Sequence, residues 1–147
     1  MTVKQFLYSV RDEQKEIEEL NNRICELRMS FLPGAIRYDK DRVQTSPTDS
    51  VTERMAELGD YEKTLSDKVR ELTEKRNRAQ KLIDSLDDSI ERQVLGMYFL
   101  SIGRPRMTDV ASWMHFSVSS TYGHYKAALK HLEEKTGVNC SRFSDML

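Results

Sequence analysis

The sequence contains few of the residues that form turns and cross-links: six Gly, three Pro and two Cys among 147 residues. Because charged residues make up 32%, this composition disfavours a sheet with many tight turns and favours long solvated helices. The two cysteines, Cys25 and Cys140, lie far apart and fit no metal-ligand or redox spacing. We therefore expect free thiols in a reducing compartment.

Long apolar runs and enzyme motifs are also missing. No stretch approaches the ~18 apolar residues of a membrane span, and the first residues mix acidic and basic groups, unlike a signal peptide. There is no phosphate-binding glycine loop, no HExxH and no nucleophile elbow, and the helix carboxylates have basic neighbours. The expectation is a cytoplasmic protein without a membrane segment that is not an enzyme, with no catalytic residues, metal site or cofactor.

The net charge of −1 argues against a protein that binds polyanions over its whole surface. This near balance conceals an asymmetry. Residues 89–147 contain seven Lys and Arg against five Asp and Glu, with all three His, whereas residues 1–88 contain 16 against 19. The small basic excess therefore falls on the C-terminal segment.

Two stretches have the heptad repeat of a coiled coil. The first is predicted to form a helix from Thr2 to about residue 30, with one break in the repeat at Glu13. Its apolar residues are Val3, Val10, Ile17, Ile24 and Phe31, with Phe6, Leu20 and Leu27. The second has breaks at Glu62 and Arg76. Its apolar residues are Val51, Leu58, Leu65, Leu72, Ala79 and Leu86, with Met55, Val69, Ile83 and Ile90.

Capping boxes at Thr2–Gln5 and Ser50–Glu53 are expected to start these two helices. Residues 33–49, which begin with Pro-Gly and have no period, are predicted to be a loop. A loop of this length can return the second helix antiparallel to the first, which gives a helical hairpin over residues 1–87. The longer helix leaves part of its apolar seam uncovered, and this predicts a homodimer through the heptad helices.

Residues 88–135 are predicted to form a small three-helix domain, followed by a tail, 136–147. A third capping box, Asp88–Glu91, starts a helix from Ser89 to about Leu100. Thr108–Glu134 then has the pattern of a helix-turn-helix, with a small residue, Ala111, where the two helices cross. Ser117 is expected to cap the second helix. We expect Trp113 in the core.

On that second helix, the predicted inward stripe is Tyr122, Tyr125, Ala128, Leu129 and Leu132. The outward candidates for DNA binding are Ser117, Val118, Ser119, Ser120, Gly123, His124, Lys126 and Lys130. The serines would meet base edges or phosphates, the helix start could bind a phosphate through free N–H groups, and both lysines would pair with phosphates. We expect His124 and His131 to be surface residues, too far apart to share a metal.

Arg104 and Arg106 flank Pro105 in the most basic short stretch of this domain. An extended Arg-Pro-Arg arm can lie in a narrow minor groove or against phosphates, which makes both arginines candidate DNA contacts. The alternative is an ordinary loop whose arginines face water.

Three segments carry a resemblance to a known family: DRVQTSPTDSVTERMAEL, KLIDSLDD and DVASWMHFSVSSTYGHYKAALKHLEE. Together with the heptads they resemble phage and mobile-element regulators of the RinA and ArpU late-gene activator type, from low-GC Gram-positive bacteria. The resemblance covers residues 3–134. The last segment is similar to region 4 of bacterial sigma factors.

The resemblance implies a DNA-binding transcriptional regulator that acts on double-stranded promoter DNA, together with bacterial RNA polymerase. In that family pattern Ser117 matches the capping serine and Lys126 a basic position, whereas Val118 and Gly123 replace basic residues. His115 stands where a turn glycine is usual, and Thr121 and His124 replace aliphatic residues. These departures imply a weak reader that depends on dimerisation or on polymerase.

The sequence therefore predicts an all-α protein with a long antiparallel coiled-coil hairpin and a small helix-turn-helix domain. One hypothesis for its function is a phage-type DNA-binding regulator. The alternative is a protein-interaction adaptor that uses the coiled coil, with a degenerate helix-turn-helix that does not bind DNA.

Overall fold

A computed structural model describes residues 1–32 and 47–137, with side chains from residue 50 in the second range, and the fold is all-α as predicted. Its helices are α1 (Val3–Ser30), α2 (Pro47–Asp84), α3 (Ser89–Leu95), α4 (Met107–Met114) and α5 (Val118–Gly137). A π-helical turn, Gly96–Leu100, directly follows α3. The predicted loop, as far as residue 46, and the tail beyond residue 137 lie outside the described residues. No described helix is long and apolar enough to cross a membrane.

The start of α1 is confirmed and that of α2 is wrong. The Thr2 N–H donates to Gln5 Oε1 at 2.9 Å, and the Gln5 N–H donates to Thr2 Oγ1 at 3.2 Å, which is the predicted capping box. Helix α2 begins at Pro47, three residues before the expected cap at Ser50. Proline fits a first helical turn because the N–H at that position has no helical partner in any case.

The third helix covers the predicted residues but is capped differently. Asp88 caps α3 by accepting the Ile90 N–H at 2.8 Å. Glu91 was expected to complete a capping box, but its carboxylate lies against the imidazole of His131 on α5 instead. The last five predicted residues of this helix form the π-helical turn.

The chain forms two compact units, and each takes part of α1 and part of α2. Among the described residues, the first unit comprises Met1–Glu13 and residues 72–137. Its core combines side chains from the long helices with those of the C-terminal helices. Its buried apolar residues are Val3, Phe6, Leu7, Val10, Leu72, Ala79, Ile83, Leu86, Val94, Leu95, Phe99, Leu100, Met107, Val110, Ala111, Tyr125, Ala128, Leu129 and Leu132. The predicted boundary at residue 88 remains a prediction.

Two arginines hold the C-terminal end of the π-helical turn. Arg11 donates to the carbonyl of Tyr98 at 2.7 Å and to those of Arg104 and Pro105 at 3.1 and 3.0 Å. Arg76 donates to the carbonyl of Leu100. The last carbonyls of a helix have no helical partner, and cationic donors suit the negative end of its dipole.

The second unit, Gln14–Glu71, contains the later part of α1 and the earlier part of α2. Lys68 pairs with Glu16 at 2.7 Å, and Arg28 pairs with Glu62, so that later residues of α1 meet earlier residues of α2. The hairpin is therefore antiparallel, as predicted. Part of the heptad seam is open: Val51, Met55 and Val69 are exposed, Met55 by 63%.

Each of the three breaks in the heptad repeats makes a polar contact with another part of its own unit. Glu13 pairs with Lys75, Glu62 with Arg28, and Arg76 with the Leu100 carbonyl. The breaks are therefore positions where a charged side chain bridges two elements. Such polar contacts favour one helix register over others.

Candidate nucleic-acid interface

A tight turn with a left-handed residue joins α4 to α5. His115 has φ 57° and ψ 34°, and its N–H donates to the carbonyl of Ser112 at 3.2 Å. The N–H of Phe116 reaches back to the carbonyl of Ala111 at 3.0 Å. These two bonds form a Schellman motif, in which glycine is the usual residue. Histidine tolerates this conformation better than most residues, as the sequence implied.

Ser117 caps α5, as predicted. Its Oγ accepts the N–H of Ser120 at 3.1 Å, and its carbonyl accepts the N–H of Thr121 at 2.9 Å. The Thr121 hydroxyl also donates to the Ser117 carbonyl, at 3.0 Å, although the Thr121 side chain is fully buried. This bond explains how a threonine can occupy a position that is normally aliphatic.

The inward stripe of α5 packs on α3 and α4 and matches the prediction at four of five positions. Tyr125, Ala128, Leu129 and Leu132 are buried. Tyr122 was also expected inside, but it is 46% exposed. Thr121 occupies the core position instead, because it lies four residues before Tyr125 on the buried face and Tyr122 is turned by about 100° from it.

The predicted DNA-binding residues lie at the start of α5 and along its solvent-exposed side. Ser117, Val118, Ser119, Ser120, Gly123, Lys126 and Lys130 are exposed, and His124 is partly buried. The His124 ring lies 5.7 Å from that of Phe116. Lys130 has a loose ion pair with Glu134, at 3.8 Å with both groups exposed, which a phosphate could replace at little cost.

Trp113 is 54% exposed, so its predicted place in the core is wrong. Met107, Val110 and Ala111 form the buried face of α4. Trp113 lies at the edge of that face, about 60° around the helix from Val110 and about 160° from Ala111, so the helical period alone does not decide its burial. Four exposed apolar side chains therefore lie close to the turn along the chain: Trp113, Phe116, Val118 and Tyr122.

The connector before α4 is a compact turn, as in the loop alternative, and not an extended Arg-Pro-Arg arm. Gly103 and Arg104 both have left-handed backbones, with φ 85° and φ 50°. Arg11 binds the carbonyls of Arg104 and Pro105, and Pro105 is buried. The Arg106 N–H donates to Asp109 Oδ2 at 2.8 Å, and its side chain is exposed at the start of α4.

The charge pattern of the helix-turn-helix contains a signal that the sequence analysis missed. No Asp or Glu occurs from Val110 to Leu132, although the chain has 24 acidic residues. The same stretch has Lys126, Lys130 and all three histidines. Within this stretch no carboxylate repels a phosphate, so the weak positive charge of Lys126 and Lys130 can act on an anionic partner.

A cleft of about 410 Å³ in the same unit is lined by residues of α3 and α5 and of the segment before α3. Four of its charged side chains form two pairs. His131 Nδ1 lies 2.9 Å from the buried Glu91 carboxylate, which raises the pKa of His131, and Lys135 Nζ lies 2.9 Å from Asp87, which lowers the pKa of that carboxyl. In residues 1–32 and 50–137, no three His, Cys, Asp or Glu side chains could hold a metal ion. The paired charges of the cleft join α5 to α3 and to the segment that precedes α3.

No known protein family, curated protein or solved structure matches this chain. Hypotheses about its function therefore depend on the geometry and chemistry of the helix-turn-helix surface.

Proposed function

We propose that this chain is a non-enzymatic, phage-type transcriptional regulator that binds double-stranded promoter DNA through α4 and α5. The observation that carries the proposal is the exposed face of α5. It follows a tight turn and a serine cap, it has two lysines, and no carboxylate occurs from Val110 to Leu132. A helix with these properties suits the major groove, where the first turns of a recognition helix contact base edges.

In this arrangement the start of α5 contributes through its backbone. The first N–H groups of a helix have no helical acceptor, and together with the helix dipole they favour a phosphate. The hydroxyls of Ser119 and Ser120 are exposed beside them. Lys126 and Lys130 lie two and three turns further along α5 and would pair with phosphates. Arg106, exposed at the start of α4, would extend this contact, with Arg104 next to it.

The proposal includes a homodimer in the bacterial cytoplasm. Two linked helix-turn-helix domains can bind two half-sites, and the second contact then has a high effective concentration. The exposed seam residues Val51, Met55 and Val69 of α2 supply an apolar surface for a second copy. Contact with RNA polymerase would add affinity at a promoter in the same way.

The test is a fluorescence-anisotropy titration of duplex DNA from immediately upstream of the neighbouring genes, at several salt concentrations. Replacing Lys126 and Lys130 by Ala should weaken binding and reduce the magnitude of the slope of log K against log salt by about two, because two phosphate contacts are lost. The control replaces Lys63 and Lys81 of α2 by Ala, which changes the net charge equally. If both variants behave alike, the assigned roles of Lys126 and Lys130 are wrong.

A second candidate is a protein-interaction adaptor, which the exposed apolar groups favour. Trp113 and Phe116 at the turn, and Met55 and Val69 on α2, are side chains that a protein partner could bury. This candidate predicts that a defined protein partner co-purifies in stable stoichiometry. It also predicts no shift of duplex DNA at low salt, which separates it from the first proposal.

A further inference from the structure

Two of the exposed apolar side chains lie on the face of α5 that would enter the groove. Val118 is the first residue of α5 and Tyr122 is one turn later, so both lie on the same side of the helix as Lys126. Val118 is 44% exposed. Exposed apolar side chains that cluster, unlike single scattered ones, mark surfaces that bind a partner.

The ring of Tyr122 packs against a buried neighbour. Its ring lies edge-on to that of Tyr125, with 5.9 Å between the ring centroids, and the Lys126 ammonium lies 6.0 Å from the centroid of the Tyr122 ring. Tyr125 is buried, and its hydroxyl bonds that of Tyr8. A side chain supported in this way loses little conformational entropy when it contacts a ligand.

The major groove of DNA presents one apolar group, the C5-methyl of thymine. The other base-pair edges there present hydrogen-bond donors and acceptors, which Val118 and the ring of Tyr122 cannot satisfy. The neighbouring Lys126 and the absence of carboxylates from Val110 to Leu132 favour a phosphate-bearing partner over an apolar protein surface.

We infer that α5 recognises thymine through contacts of Val118 and Tyr122 with its C5-methyl group. This inference rests on the proposed function and adds to it the base class that is recognised. Tyr122 then belongs to the site, although the sequence pattern placed it in the core.

The test uses deoxyuridine, which pairs as thymine does and lacks only the methyl group. Duplexes with 20 randomised base pairs are synthesised with thymine and selected on the full-length protein. The enriched sequences are then made again with deoxyuridine. The wild type should bind the deoxyuridine duplexes about four-fold more weakly for each methyl group in contact, as expected for the loss of one buried apolar carbon.

Two variants assign the effect to these side chains. In Val118→Ser and Tyr122→Ser, the difference between thymine and deoxyuridine duplexes should shrink or disappear. Both positions are exposed, and the Val118 variant keeps the Ser117 cap. The control is Ile102→Ser, which removes an exposed apolar side chain from the connector and should leave the difference unchanged.

The outcomes separate this inference from the function on which it rests. Equal affinity for thymine and deoxyuridine duplexes, or binding with no enriched sequence, overturns the inference and leaves DNA binding intact. A difference that persists in both variants removes the assignment to Val118 and Tyr122. The absence of any duplex binding at low salt overturns the proposed function itself.

Discussion

The phenol oxygen of Tyr8 lies 2.9 Å from that of Tyr125, 117 residues later in the chain. Burial raises the pKa of both hydroxyls, so each remains protonated and one can donate to the other. The Tyr8 ring also lies edge-on to Phe99, at 5.1 Å between centroids. The first turns of α1 are therefore part of the support of α5. The helix that starts the chain contributes to the orientation of the proposed DNA-binding face.

Arg11 should be one of the most sensitive positions in this support. Its guanidinium binds three carbonyls and lies 4.1 Å from the centroid of the Tyr98 ring. Arg11→Ala leaves those carbonyls without their donor and should lower the free energy of unfolding by about 2–4 kcal/mol. Arg11→Lys should retain only part of this stability, because an ammonium group lacks the planar array of N–H donors of a guanidinium.

Urea unfolding measures both effects. The control is Lys15→Ala on the same helix, where an exposed i,i+4 pair with Glu19 is lost and the change should stay within about 0.5 kcal/mol. If Arg11→Ala lowered the free energy of unfolding no more than this control, the three hydrogen bonds of Arg11 would not stabilise the fold.

The left-handed backbone of His115 predicts opposite effects for two substitutions. His115→Gly should raise the free energy of unfolding by about 0.5–1 kcal/mol, because glycine adopts φ 57° without a Cβ penalty. His115→Val should lower it by about 1–2 kcal/mol, because β-branched residues resist this conformation. Ser112→Gly, within α4, is the matched control and should be destabilising by up to about 1 kcal/mol. A destabilised His115→Gly would mean that the imidazole makes a contact the fold requires.

Gly123 is predicted to serve binding at the expense of stability. A Cβ at this position would meet no atom within 4 Å, so no contact inside the protein requires glycine. Gly123→Ala should raise the free energy of unfolding by about 0.5–1 kcal/mol. It should also weaken duplex binding if the bare backbone approaches DNA. Thermal unfolding and anisotropy on one sample check both, and Ala127→Gly is the reverse control for stability. Unchanged DNA affinity would remove Gly123 from the site.

The His131–Glu91 pair predicts a pH-dependent stability. The carboxylate raises the pKa of His131 above its ordinary value of 6.5. The pair therefore makes its full contribution to the free energy of unfolding below about pH 6.5. That contribution is lost as the pH rises through the pKa of His131 in the folded state. Urea midpoints at pH 6 and pH 9 should differ less in His131→Gln than in the wild type. His124→Gln, whose ring contacts Phe116, should keep the wild-type difference. An identical pH response in both variants would exclude the pair as the cause.

The exposed seam of α2 predicts that acidic substitutions dissociate the proposed dimer. Met55→Glu together with Val69→Glu should halve the mass measured by light scattering, because two charges per chain would be buried at an apolar interface. Ala56→Glu, an exposed position next to the seam, is the control and should leave the mass unchanged. A monomeric wild type would contradict this part of the proposal, and a dimer that tolerates both seam substitutions would move the interface elsewhere.

Local signals in the sequence predicted the elements well where one interaction dominates. The Thr2–Gln5 box starts α1, and the Ser117 cap starts α5, because each is a contact between residues three apart. The predicted start of α2 at Ser50 failed because Pro47 also satisfies a first turn, and spacing alone does not choose between them. Glu91 has a capping-box position, but His131, 40 residues later, binds its carboxylate.

The sequence by itself determined the all-α fold, the two long heptad helices and the outward face of α5, because period and capping depend on neighbours along the chain. Only the tertiary structure decided that the charged residues in the heptad breaks bridge two elements, and that Tyr8 and Arg11 support the C-terminal helices. It also decided that Trp113 and Tyr122 face water. Burial depends on which elements pack together. Contacts between residues that are far apart in the sequence produce no periodic pattern from which they could be predicted.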